Sequence, residues 1–170
     1  GLNKWIFIML SLFIIIFLSS NSINANWTSI TPPVLSSSYG LESVHFTSSN
    51  EGWAVGCTGD AKGVLFHYLN GTWTSVTPPE VISPWLLILD SVHFTSSNEG
   101  WAVGQGVLLH YKNGSWNFIP SPLGEDRWLN SVHFTSSNEG WAVGYDYANV
   151  TNQKGVLLHY QNDSWVIEGS

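Results

Sequence analysis

The chain has 170 residues, a formal net charge of −7, ten tryptophans and one cysteine. An acidic balance of this kind repels a polyanion such as DNA, so nucleic acid is not an expected partner. A lone Cys57 cannot form an intrachain disulfide, which leaves packing alone to stabilise the fold.

The chain opens GLNKWIFIMLSLFIIIFLSSNSINANW. Lys4, the apolar run Trp5–Leu18 and the short polar stretch after it follow the order of a secretory signal peptide. The run is shorter than the roughly 20 residues a spanning helix needs. Residues 1–25 therefore read as a signal peptide cleaved after Ala25, with Ser22 as the second candidate site. An uncleaved N-terminal anchor is the competing reading. Export is expected, to the periplasm, the cell surface or the medium, with no membrane span after cleavage. The first residue is Gly rather than Met, and Ser170 falls inside a repeating pattern, so an incomplete reading frame is expected.

Residues 26–170 read as one domain of repeats. WTSITPP, within residues 27–33, matches the fourth strand of a unit whose first three strands are absent. Three units follow, at approximately 41–79, 89–122 and 129–170. Each carries the same phrase, SVHFTSSNEGWAVG, at Ser43–Gly56, Ser91–Gly104 and Ser131–Gly144. Each carries a second block: GVLFHYLNGTW at Gly63–Trp73, GVLLHYKNGSW at Gly106–Trp116, and GVLLHYQNDSW at Gly155–Trp165. Length varies only in the connectors.

Within a unit, SVHFT predicts a first strand, SSNE a turn, GWAV a second strand and GVLLHY a third. The fourth starts at the Trp after the hairpin. β-Branched and aromatic residues bounded by Gly, Ser, Asn and Pro favour strands over helices. Asn70-Gly71 and Asn113-Gly114 suit a two-residue hairpin, which needs positive φ at both central positions, and Asn162-Asp163 fills the same slot less well. A four-stranded meander of this length is the size of one β-propeller blade. The predicted fold is all-β, a propeller of four-stranded antiparallel blades, about three of them, in an incomplete ring. Either more blades follow in a longer chain or several chains assemble, and truncation is the preferred reading.

The pattern NEGWAVG…GVLLHY.NGSW resembles the blade of BNR-type propellers related to the photosystem II stability/assembly factor family. The resemblance covers residues 27–170. It implies a propeller of seven or a similar number of blades that acts as a binding scaffold in exported bacterial proteins. Sialidases share the related Asp-box, but here Tyr-x-Asn-Gly replaces its Asp-containing start, so a strict Asp-box is absent.

Enzyme chemistry finds little footing. A sialidase-like site needs several arginines for the substrate carboxylate, and Arg127 is the only one. Glycoside hydrolysis needs two opposed carboxylates. Glu51, Glu99 and Glu139 are repeat-turn residues, expected to be solvated or to hold the turn, and nothing pairs Asp126 with Asp146. No G-x-S-x-G, Walker loop, C-x-x-C or H-E-x-x-H is present. The histidines His45, His93, His133, His67, His110 and His159 recur in fixed slots, so they are expected in successive blades rather than around one ion. Each should pack between blades and hydrogen-bond a backbone or hydroxyl group. No metal or cofactor is expected. Trp53, Trp101, Trp141, Trp27, Trp73, Trp116 and Trp165 occupy repeat slots and are expected in the core, where large aromatics fill the wedge between blades. Asn26, Asn70, Asn113, Asn149 and Asn162 lie in N-x-S/T sequons, three of which spell the hairpin turn.

In an up-and-down blade, the turns between strands one and two and between three and four share one side of the disc. The link between strands two and three and the crossover share the other. The invariant turns therefore define one face, and every variable segment lies on the opposite one. Ligand-binding residues gather on loops held by a rigid scaffold. Trp85, Asp126, Arg127, Trp128, Tyr145, Asp146 and Tyr147 are accordingly the candidate binding residues. The functional reading is an exported, non-catalytic scaffold for a protein or glycan ligand. Its alternatives are a fragment of a glycan-cleaving enzyme whose catalytic residues lie in missing blades, and a purely structural repeat. The identity of the three phrases exceeds what packing requires, since cores tolerate substitution when volume and pattern are kept, and recent duplication is its simplest cause.

Overall fold

Asn70-Gly71 has φ of 48° and 93°, and Asn113-Gly114 has 49° and 90°. These are the left-handed pairs a tight two-residue hairpin requires. The third hairpin, Asn162-Asp163, is driven into the same geometry, at 50° and 58°, with a side chain where glycine is preferred. Each hairpin joins the third and fourth strands of a four-stranded meander. The computed structural model describes residues 28–35, 37–80, 87–124, 127–146 and 153–168. The signal-peptide reading of residues 1–25 lies outside them.

The first sheet comprises β1 (Tyr39–Ser48), β2 (Glu51–Thr58), β3 (Gly63–Leu69) and β4 (Thr72–Val76). The second comprises β5 (Leu89–Ser96), β6 (Glu99–Gly104), β7 (Val107–Lys112) and β8 (Ser115–Ile119). The third comprises β9 (Arg127–Ser136), β10 (Glu139–Asp146), β11 (Gly155–Gln161) and β12 (Ser164–Ile167). Each is antiparallel with strands in sequence order, and no helix occurs among the described residues. Of the lone fourth strand expected at 27–33, residue 27 lies outside the described residues and residues 28–33 form no strand. A fourth strand needs a third to pair with, and none precedes it among the described residues.

The sheets stack face to face, with inner strands β1, β5 and β9 as neighbours. One core fills each gap. Between the first two sheets, Trp53, Val55 and Leu65 meet Leu89, Val92, Phe94, Tyr111 and Trp116. Between the second and third, Trp101, Val103 and Leu108 meet Leu129, Val132, Phe134, Tyr160 and Trp165. The indole is the wedge in both. Trp53 packs at 5.5 Å from Phe94, 5.0 Å from Tyr111 and 5.4 Å from Trp116. Trp101 repeats this on Phe134, Tyr160 and Trp165 at 5.8, 5.1 and 5.4 Å. The indole N–H groups of Trp53, Trp116 and Trp165 are buried without an acceptor, so apolar area rather than polar pairing holds the wedge.

Nearly every position of the repeated phrase has a structural task. Ser43 Oγ accepts from the Val92 N–H of the next sheet at 3.2 Å, and Ser91 Oγ accepts from Val132 N–H at 3.2 Å. The Thr47, Thr95 and Thr135 hydroxyls donate to the carbonyls of Glu51, Glu99 and Glu139 across the turn. Ser48, Ser96 and Ser136 Oγ accept from the N–H of Asn50, Asn98 and Asn138. A Cβ on Gly52, Gly100 or Gly140 would lie 2.7, 2.5 or 2.6 Å from the ring of Phe46, Phe94 or Phe134. A Cβ on Gly56, Gly104 or Gly144 would meet a backbone carbonyl oxygen at 2.0, 1.8 or 1.7 Å, where a β-bulge brings the inner strand close. These contacts constrain much of the phrase beyond volume and pattern.

Three predictions follow from this packing. Trp53→Ala and Trp101→Ala should each cost about 3–5 kcal/mol, the usual loss for a buried indole, in urea unfolding. In a chain that remains monomeric, Trp141→Ala should cost only about 1–2 kcal/mol, because its indole is seated on one side only. Equal losses at all three sites would contradict the wedge. Gly104→Ala should cost about 3 kcal/mol or more by forcing the bulge open, while Asp163→Gly should stabilise by about 0.5–1 kcal/mol by relieving positive φ.

Candidate functional site

The two edges of the stacked sheets are chemically distinct. On one edge the two turns of a sheet bond to each other: Asn70 N–H donates to Asn50 O at 2.9 Å, and Asn113 N–H to Asn98 O at 3.0 Å. The invariant turns thus spend their polar groups on one another. On the other edge the links between second and third strands bond to chain entering an inner strand. Gly59 N–H donates to Ser38 O at 2.8 Å, Gln105 N–H to Ile88 O at 3.2 Å, and Gly106 N–H to Arg127 O at 2.7 Å. The described parts of the variable segments lie on this second edge.

Four of the seven candidate residues come together there. In the β9–β10 ladder, Arg127 pairs with Asp146 and Trp128 with Tyr145. The Arg127 guanidinium meets the Asp146 carboxylate at 2.8 Å, each side chain about a quarter exposed. The Trp128 and Tyr145 rings stack with centroids 6.0 Å apart. Trp128 reaches across to the preceding sheet, where its indole N–H donates to the Asp90 carboxylate. Burial raises the Asp90 pKa above the usual carboxylate range, the Trp128 hydrogen bond opposes that, and Glu42 adds to it. Trp85, Asp126 and Tyr147, the other three candidates, lie outside the described residues.

The cluster therefore joins a stacked aromatic pair to an ion pair, with the indole N–H tied to Asp90. Arg127, the only arginine, is held by Asp146. Along the same edge, an open groove of about 840 Å³ runs between the Thr58–Gly63 link and the Ser75–Glu80 segment, with Leu35 and Leu87 on its walls. No group of three or more His, Cys, Asp or Glu side chains close enough to hold a metal ion occurs among the described residues.

The histidines fall into two sets. On the third strands, each ring is sandwiched between the wedge Trp of its own sheet and a carboxylate. His67 stacks on Trp53 at 4.3 Å, His110 on Trp101 at 4.0 Å and His159 on Trp141 at 3.8 Å. Their Nε2 atoms lie 3.3, 3.1 and 2.7 Å from Oε1 of Glu51, Glu99 and Glu139. The partner is thus a carboxylate, where a backbone or hydroxyl group was expected. Strand register sets Trp beside His, and the Glu two residues before the Trp reaches the same face. Burial lowers the His110 pKa, although Glu99 opposes the shift. At His159 burial also lowers it, but Glu139 and a second carboxylate, Glu168 at 3.2 Å, outweigh burial and raise it.

On the inner strands, His45, His93 and His133 form a row through successive sheets, with ring centroids 4.6 and 4.5 Å apart. Burial, then the neighbouring histidines His45 and His133, lowers the His93 pKa to about 4. Burial and His133 also lower that of His45, against a backbone hydrogen bond with Phe94. His45 and His93 thus resist protonation in the fold, while unfolded histidine takes up a proton near pH 6.5.

Stability should therefore fall as pH drops from about 6.5 toward 4, because the unfolded state binds more protons across that window. His159, shifted the other way, contributes stability that is lost only as pH rises through its folded value. Thermal midpoints followed from about pH 7.5 down to about pH 4 should decline in the native chain and decline less in His93→Gln. A flat profile, or an unchanged slope in that variant, would contradict this account.

No protein-family model matches the sequence, and no curated protein matches it. Among solved structures, the chain is similar to YCF48 bound to D1 peptide, with a TM-score of 0.58 and 20% sequence identity. The alignment covers 82% of this chain and 45% of that one, so the chain spans less than half the length of the protein it matches. With three four-stranded antiparallel sheets stacked by their inner strands, the chain has the β-propeller fold.

Proposed function

We propose that this chain is an exported, non-catalytic binding scaffold that holds an extended protein segment on its variable edge. The observation that carries the reading is the cluster of Trp128, Tyr145, Arg127 and Asp146, built where the repeats differ and fixed by β9 and β10. Rigid aromatic faces beside charged groups suit a peptide, since they supply contact area at little entropic cost. The bound peptide in the similar YCF48 complex supports the same class of ligand. Asp90 and Glu42 near the cluster, with a net charge of −7, favour a segment carrying basic side chains.

Export rests on the order of charged, apolar and polar segments in residues 1–25. N-terminal sequencing of the protein recovered from outside the cytoplasm should read from Asn26. A glycan is the second reading, favoured by the stacked Trp128–Tyr145 pair, which also suits a sugar face.

Peptide and glycan arrays probed with the intact protein would separate these readings. Basic peptides should bind, and Trp128→Ala and Tyr145→Ala should each weaken binding roughly 10- to 100-fold. Ser97→Ala, on the invariant turn at the opposite edge, should leave it unchanged. Signal on glycans alone would favour the second reading. Silence on both arrays, or binding indifferent to both aromatic substitutions, would leave the purely structural reading.

A further inference from the structure

The three hairpins that join third to fourth strands differ in one chemical respect. Asn70 and Asn113 are each followed by glycine, whereas Asn162 is followed by Asp163. All six residues lie at exposed tips. The third hairpin holds a side chain at φ of 58°, where glycine is preferred. Neither Gly71 nor Gly114 donates its N–H to another backbone group among the described residues. Each of these nitrogens is therefore open to reaction, and the nearest electrophile along the chain is the side-chain amide carbon of the asparagine before it.

We propose that Asn70 and Asn113 are sites of spontaneous deamidation, and that Asp163 shields Asn162 from the same reaction. The glycine nitrogen gives up its proton and attacks the asparagine Cγ. A C–N bond forms, the bond to the side-chain nitrogen breaks, and ammonia leaves carrying that proton. Water then opens the five-membered succinimide at either carbonyl, giving aspartate or isoaspartate. Closing the ring requires the tip to swing out of its left-handed turn, a local opening available to an exposed hairpin end. Glycine offers no side chain to hinder the approach. At Asn162 the Asp163 side chain stands beside the nucleophilic nitrogen, and its carboxylate disfavours the loss of a proton there. The residue that strains the third turn thus makes it chemically durable.

The two products differ in what they do to the fold. Aspartate keeps the length of the backbone and tolerates positive φ much as asparagine does. Isoaspartate routes the main chain through Cβ and Cγ and so adds one atom to a two-residue loop. Such a loop no longer matches the Leu69–Thr72 or Lys112–Ser115 pair that closes it. The strand after Asn113 is β8, and it carries Trp116, which packs on the Trp53 wedge at 5.4 Å. Isoaspartate at 113 therefore loosens the core between the first two sheets.

Peptide mapping by mass spectrometry tests this on the full chain, held in mildly alkaline buffer at physiological temperature. The amide-to-acid mass gain should accumulate at Asn70 and Asn113, part of it as isoaspartate, several-fold faster than at Asn162. Asn50, Asn98 and Asn138, also exposed but followed by glutamate, should stay intact. Asp163→Gly should bring Asn162 to the rate of Asn113 in a chain that stays folded, since the change relieves positive φ. Material carrying isoaspartate at 113 should melt at a lower temperature than the unmodified chain. Rates at Asn70 and Asn113 no greater than at Asn50 and Asn98 overturn the proposal. So does an Asn162 that stays intact in Asp163→Gly.

Discussion

An antiparallel sheet made apolar on both faces cannot stand alone in water, so each sheet here depends on its neighbours. The indole of the repeated phrase is what satisfies that demand. It lies against its own sheet's histidine on one side and three aromatic rings of the next sheet on the other. Other features follow from its placement. The carboxylate two residues earlier fixes the histidine, the glycine before the indole gives way to the phenylalanine of the inner strand, and the bulge glycine lets that strand approach. Each of these contacts supports the wedge at Trp53 and is repeated at Trp101.

Much of this was legible in the sequence. Asn-Gly pairs, strand-forming clusters and fixed spacing give the meander, and the structure agrees for the strands of the three sheets but not for the lone leading strand. The face bearing the variable segments was also legible, because it follows from connectivity. What escaped was set by distances across the sheet. The Glu–His pairing depends on strand register, and the need for glycine at 56, 104 and 144 depends on a bulge with no composition of its own. The inner histidines show the same limit. Recurrence correctly placed them in successive blades, but only the narrow spacing of inner strands brings their rings within 5 Å of one another.

The candidate site shows a different balance. Sequence position alone brought Arg127, Trp128, Tyr145 and Asp146 to one edge, and strand pairing then set them side by side. Their partners were not legible, because Asp90 belongs to the preceding sheet. The consequence is a cluster whose single arginine is engaged by Asp146. The two edges divide labour: one closes its polar groups on itself, and the other offers side chains that differ from blade to blade.

The identical inner strands carry a consequence for folding. β2 could pair with β5 as well as with β1, since both present SVHFTS to it. Local connection decides the outcome. The native pair is joined by the two residues Ser49 and Asn50, whereas the incorrect pair must close a loop through β3, β4 and a long crossover. Each doubling of a flexible loop costs about 0.6 kcal/mol, so tight turns direct each hairpin to form with its own partner first. The invariant SSNE and Asn-Gly turns thereby act as a kinetic guard against scrambling among repeats whose strands are otherwise interchangeable. The same guard would be weakest at Asn162-Asp163, where the turn is strained, and the last hairpin is where misassembly would begin.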